Sequence, residues 1–133
     1  MEDELEELAS HLSQRVQIGL DQSKTVLNQV SKTILRKADP EKASKLLSKL
    51  PTGITNLFSS EEKSKFTTTK EEINNEQVIE NIDKESGIHN KAKSQKATQE
   101  AVKLLEEKAD EPGLMDNITG RLKNVDLNPF NNP

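Results

Sequence analysis

Positions 5, 16, 27 and 38 carry Leu, Val, Leu and Ala, an eleven-residue recurrence flanked by Leu8, Leu12, Val30 and Ile34. Eleven residues make almost three α-helical turns, about 3.67 residues per turn, so the repeat keeps one narrow apolar stripe aligned along a nearly straight helix. A lone helix cannot bury such a stripe within itself. It needs a packed helix, a coiled-coil partner or a membrane surface. The residues expected to form this seam are Leu5, Leu8, Leu12, Val16, Leu27, Val30 and Ile34. Each contributes about 1.5–3 kcal/mol when fully buried, before ordering costs.

The spacing predicts a first helix from Glu2 or Asp3 to Ala38, with acidic residues at its positive end. Its centre is weak, because Gly19 and Ser23 stand where flanking repeats have large apolar residues and Leu20 only partly fills the gap. Gly19 costs about 1 kcal/mol relative to Ala inside a helix, so a bend or fraying is expected there. Asp39-Pro40 is a stop and a start: Pro40 disfavours helix at Asp39, and Asp39 suits the cap of a second helix with Pro40 in its first position. That helix carries Ala43, Leu46, Leu47 and Leu50 on one face and ends at Pro51 and Gly53. Either the two helices fold back as a hairpin, burying Leu46 and Leu50 against Leu27, Val30 and Ile34, or they form a rod.

Residues 1–58 therefore read as one amphipathic helical region closed by the apolar cluster Ile54, Leu57 and Phe58, which serves as satellite core or as a docking point. Residues 59–91 read as a linker with weak helical propensity, where faint periodicity runs through Ile73, Val78, Ile79 and Ile82 to Gly87. Residues 92–127 form a second helical region. Ala97, Ala101, Leu104, Leu105 and Ala109 make its first stripe, ending before Pro112-Gly113, and Leu114, Met115, Ile118, Leu122 and Val125 make a short second one. Residues 128–133 read as a disordered tail.

The supply of large side chains is poor: 31% of the 133 residues are hydrophobic, 32% are charged, and there are three Phe with no Tyr or Trp. The expected fold class is all-α, with extended helices or a helical hairpin joined by flexible linkers, partly disordered and without a compact globular core. Cysteine is absent, which excludes structural disulfides and thiolate metal sites. The acidic start is unlike a secretory signal, and no apolar run approaches the roughly 20 residues that span a bilayer, so a cytoplasmic protein with at most peripheral membrane contact is expected.

The net charge of −4 conceals an asymmetry: residues 1–14 hold five acids and no Lys or Arg, whereas residues 15–50 hold eight Lys or Arg against three acids. The basic stretch lacks the aromatic platforms on which bases stack, so a solvated helix face, not a nucleic-acid surface, is expected. His11 and His89 are the only histidines, neither at metal-ligand spacing, and both are expected to face solvent. The pairs Glu61-Glu62 and Glu106-Glu107 fit solvated faces, and the five glycines form no phosphate loop. No catalytic residue, cofactor or metal is expected. Asn128-Pro129-Phe130 resembles the Asn-Pro-Phe ligand that EH domains of endocytic and recycling proteins bind as a tight turn, which implies an EH-domain protein as a partner of the tail.

Three collinear stretches resemble the synaptosomal-associated protein family of SNAREs, especially its cysteine-free ubiquitous branch. Glu4 to Leu8 with Leu20 to Val30 is similar to the opening of that family's first SNARE helix. Leu50 to Phe58 is similar to the apolar, Gly-containing segment after it, and Ile118 to Leu127 to the start of the second SNARE helix. Family members also carry an Asn-Pro-Phe tripeptide, though near the other end. The chain departs from the pattern where Asp39-Pro40 ends the first helix before a central Gln layer and where Asn128 to Asn131 replaces the continuation of the second. The resemblance thus implies a truncated or diverged member that contributes half-layers to a helical bundle. The expected function is a non-enzymatic, coiled-coil or bundle-forming interaction protein in membrane traffic, with partner helices supplied by itself or by other chains. The alternatives are a peripheral amphipathic helix at a membrane surface and an oligomerising scaffold of viral or phage type.

Overall fold

The computed structural model describes residues 4–71 and 75–109, and every element among them is an α-helix. The expected segment 114–125, the Asn128-Pro129-Phe130 motif and the starting residues Glu2 and Asp3 lie outside the described residues, as does Ile73.

The predicted long first helix is two helices. α1 (Glu4–Val16) ends at Val16, and α2 (Leu20–Lys37) begins after Gly19. Between them Gln17 adopts a left-handed backbone, φ 63°. The chain reverses there, which brings Glu6 within 3.7 Å of Lys24. In a continuous helix these residues would lie about 27 Å apart, 18 steps of roughly 1.5 Å. The ladder is thus folded upon itself, and the stripe's first partner is its own second half.

α3 (Pro40–Lys49) has Asp39 and Pro40 at its start and Leu50 with Pro51 at its end, as the sequence predicts. Asp39 stands at the cap position but makes no side-chain cap; its carboxylate pairs with Lys70 at 3.4 Å. The single turn α4 (Thr52–Thr55) docks on the start of α1, where the Gly53 amide donates to Glu4 Oε1 at 3.2 Å. A Cβ at Gly53 would sit 2.9 Å from the Leu5 nitrogen, so this approach requires glycine.

The segment expected to be a linker is substantially helical. α5 (Ser60–Phe66) starts from a full capping box, Ser59 Oγ accepting from the Glu62 amide and Glu62 Oε1 accepting from the Ser59 amide. α6 (Asn75–Ser86) and α7 (Lys91–Ala109) then form a second hairpin.

α2 is the hub, packed against α1, α6 and α7, while α3 to α5 cover its C-terminal end. The ion pairs Arg15–Glu100 and Glu7–Lys108 run in opposite chain order, which makes α1 and α7 antiparallel. The core is more compact than the composition suggested: apolar side chains from α1, α2, α3, α5, α6 and α7 join in one contiguous buried cluster. Small residues make this work. Ala9, Ala38, Ala43, Ala97, Ala101 and Ala109 are all buried, so helices approach closely without large aromatics. Among the described residues, no helix is long and apolar enough to cross a membrane.

Candidate functional site

All seven expected seam residues come together, inside this chain. Leu8, Leu12, Val16, Leu27, Val30 and Ile34 are buried, and Leu5 packs half-buried against them. In the folded chain the stripe therefore faces α2 and α7, not an open surface. Ile54 and Phe58 also lie in the core rather than at a docking point, with Phe58 meeting the Phe66 ring edge-on at a centroid distance of 5.3 Å. Only Leu20 among the large apolar residues described is classed as exposed. His11 and His89 face solvent, as expected.

A single-stripe reading misses the second face of α2. Val26, Ser31, Thr33 and Leu35 are buried as well as the ladder residues, because α2 has helices on several sides. This interior is partly polar. Ser23 and Thr33 return their hydroxyl protons to carbonyls four residues earlier, and Thr98 does so on α7. Ser31 Oγ and Asn28 Oδ1 are buried with no protein hydrogen-bond partner among the described residues. Each such atom costs about 1–3 kcal/mol of lost solvation, so the interface around α2 is held less tightly than its apolar area alone implies.

The joint between the ladder's halves is built from few interactions. Ser13 clamps it: its carbonyl accepts from the Gln17 and Ile18 amides, at 2.7 and 3.3 Å, and its hydroxyl donates to the Ile18 carbonyl. Lys93 Nζ donates to the Gln17 carbonyl at 3.3 Å. Gly19 opens α2 with an amide that donates to Gln22 Oε1 at 2.8 Å, but it has no side chain to cap the helix. Gln17 holds a left-handed conformation that costs an L side chain about 1–2 kcal/mol. A Gln here is a helix former held in a turn.

A surface cleft of about 210 Å³ lies between α2 and α5 and is lined by Lys32, Arg36, Glu62, Lys65, Phe66 and Glu71. Its charges largely satisfy one another: Arg36 Nη2 meets Glu71 Oε1 at 2.7 Å and Lys32 Nζ meets Glu62 Oε2 at 3.1 Å. The Glu71 amide also donates to the Arg36 carbonyl at 2.8 Å. The Ser59 amide, followed by Lys32, holds the Glu62 carboxyl below its ordinary pKa, and the Arg36 guanidinium does the same for Glu71. The cleft thus fastens α5 to α2. Among the described residues no three His, Asp or Glu side chains are grouped to hold a metal ion.

The chain matches no protein-family model, no curated protein and no solved structure.

Proposed function

We propose that this chain is a non-enzymatic helical interaction protein whose apolar ladder is a seam for partner helices, stored within its own bundle. One observation carries the reading: the eleven-residue phase runs from Leu5 through Val16 and Leu27 to Ala38, straight across a turn that the folded chain makes between Val16 and Leu20. A hairpin alone has no need of phase continuity across its turn, because each arm could bury its own stripe independently. A helix that lies along a partner does need it.

The mechanism is exchange. A partner helix takes the place of α1 against α2 and α7, or binds α1 and α2 after they part, and the buried Ser31 Oγ and Asn28 Oδ1 lower the cost of parting. The likeness to the opening of a SNARE helix makes helices of that class, in membrane traffic, the partners to try first. Asn128-Pro129-Phe130 supplies a second contact, for an EH domain.

The test is titration of the full chain with isolated SNARE-class helices, followed by circular dichroism and sedimentation. The expected result is a complex that forms with wild type and forms more readily with Gly19→Ala, which favours parting of α1 and α2. Val30→Asp should abolish it. Absence of any complex with either folded chain, or helix gained only with anionic vesicles, would defeat the helix-partner reading and leave the membrane-surface one.

A further inference from the structure

We infer that residues 17–19 are a hinge through which α1 exchanges between two copies of this chain. This rests on the stored-seam reading above and names a partner for it, a second copy. Three features converge. The link between α1 and α2 is three residues long, and it holds a non-glycine residue, Gln17, at φ 63°. Short strained links of this kind favour exchange, since straightening them releases the strain. Straightening also brings the ladder into register. At about 3.67 residues per turn, Leu5, Val16, Leu27 and Ala38 align only when α1 and α2 are one helix.

The third feature is what α1 leaves behind. Its slot is apolar towards Leu8, Leu12 and Val16, and its rim carries Glu100 for Arg15 and Lys108 for Glu7. The α1 of a second copy matches that slot in both apolar register and charge order. When α1 projects from a straightened helix, its stripe is exposed and must be covered. The α1 of a second copy makes a reciprocal exchange, and the contacts of α1 with the rest of the bundle are remade between chains except at the hinge. Gly19 is the permissive element, because a Cβ there would meet only the Gln22 side chain, no closer than 3.5 Å, so nothing in the bundle demands glycine.

The test uses the full chain, which has no native cysteine. One chain carries Gln17→Ala, Gly19→Ala and Arg15→Cys; the other carries the same hinge changes and Glu100→Cys. The two are mixed, concentrated, refolded together and treated with a short bismaleimide. Exchange predicts a dimer by light scattering and a covalent heterodimer joining position 15 of one chain to position 100 of the other. Gln17→Gly in place of Gln17→Ala should weaken dimerisation by about a hundredfold, roughly tenfold at each hinge, because glycine accepts the left-handed turn. The mixture with the Gln17→Ala, Gly19→Ala hinge is the first of two samples; the second is the same mixture with the wild-type hinge, one chain carrying Arg15→Cys and the other Glu100→Cys, refolded at high concentration. Monomer in both samples, or a dimer without the 15-to-100 link, overturns the inference. Failure here leaves the capture of SNARE-class helices to stand on its own titration, and failure of that titration leaves the covalent dimer to stand on this one.

Discussion

The α1–α2 turn and the α6–α7 turn perform the same operation on the chain with different local support. Around the second, Gly87 takes the left-handed position at φ 77°, Asn90 Oδ1 caps α7 through the Lys93 amide at 3.0 Å, and Asp83 Oδ1 ties the Asn90 amide and Ser94 hydroxyl together at 2.6 and 2.7 Å. His89 also takes a positive φ, so two residues share that reversal. At the first, the left-handed residue is Gln17, the following helix has no side-chain cap, and Ser13 is the principal clamp. One turn is encoded in its own residues. The other is imposed by the packing of the helices on either side, and its local sequence retains the option of a continuous helix. Tertiary burial wins over local preference at Gln17, and that is the condition under which a second packing remains accessible.

The contrast can be broken by substitution. Asp83→Ala removes both ties and leaves the buried Ser94 hydroxyl without its acceptor, so it should lower stability by about 2–3 kcal/mol in urea unfolding. Ser13→Ala at the other turn should cost less, about 1 kcal/mol. Equal or reversed losses would mean that the first turn is as strongly self-encoded as the second.

Exchanging the residue types sharpens it. Gly87→Gln should lose about 1 kcal/mol, because it places a side chain at φ 77°. Gln17→Gly should instead gain about 0.5–1 kcal/mol, the relief of strain exceeding the added freedom of the unfolded chain. A loss at Gln17 would show that its turn is not strained.

The smallest effect separates both turns from the α2–α5 face. Glu62 and Glu71 have folded pKa values below the ordinary 4.5. Their contribution is complete above the ordinary value and is lost as pH falls through the lowered folded values. Both side chains are more than a third exposed, so solvent screening keeps the effect below about 1 kcal/mol. Thermal unfolding should shift slightly downward in acid in wild type and less so in a Glu62→Gln, Glu71→Gln variant, with the difference fading in salt.

Much of this architecture is legible from the chain itself. The Asp39-Pro40 boundary, the end of α3 at Pro51 and the Ala97 to Ala109 stripe follow from cap chemistry and helical spacing. α5 was equally legible, since Ser59 and Glu62 spell a capping box, but the surrounding Ser, Thr and Lys read more readily as linker. Ser23 and Gly19 marked the weak centre of the ladder. The reversal itself did not show, because Gln17 has no turn signature and only packing places it in the left-handed region. The second buried face of α2 was hidden for a related reason: Ser31, Thr33 and Ser23 are polar, and a hydrophobic pattern does not register them as core. The seven seam residues form an apolar set in the sequence; that they meet one another within one chain depends on contacts far apart in sequence.

The central claim, that the ladder is one helix's stripe folded back at residues 17–19, is tested most directly by spin-label distances in the full chain. Glu6 and Lys24 form a partly exposed ion pair of small energetic weight, and cysteine is absent, so Glu6→Cys with Lys24→Cys places two labels cleanly. In dilute wild-type background the account predicts a short separation, with a second population near the roughly 27 Å of a continuous helix appearing when Gln17→Ala and Gly19→Ala are added. A long distance alone in the wild-type background, or a short one untouched by the hinge substitutions at every concentration, would contradict it.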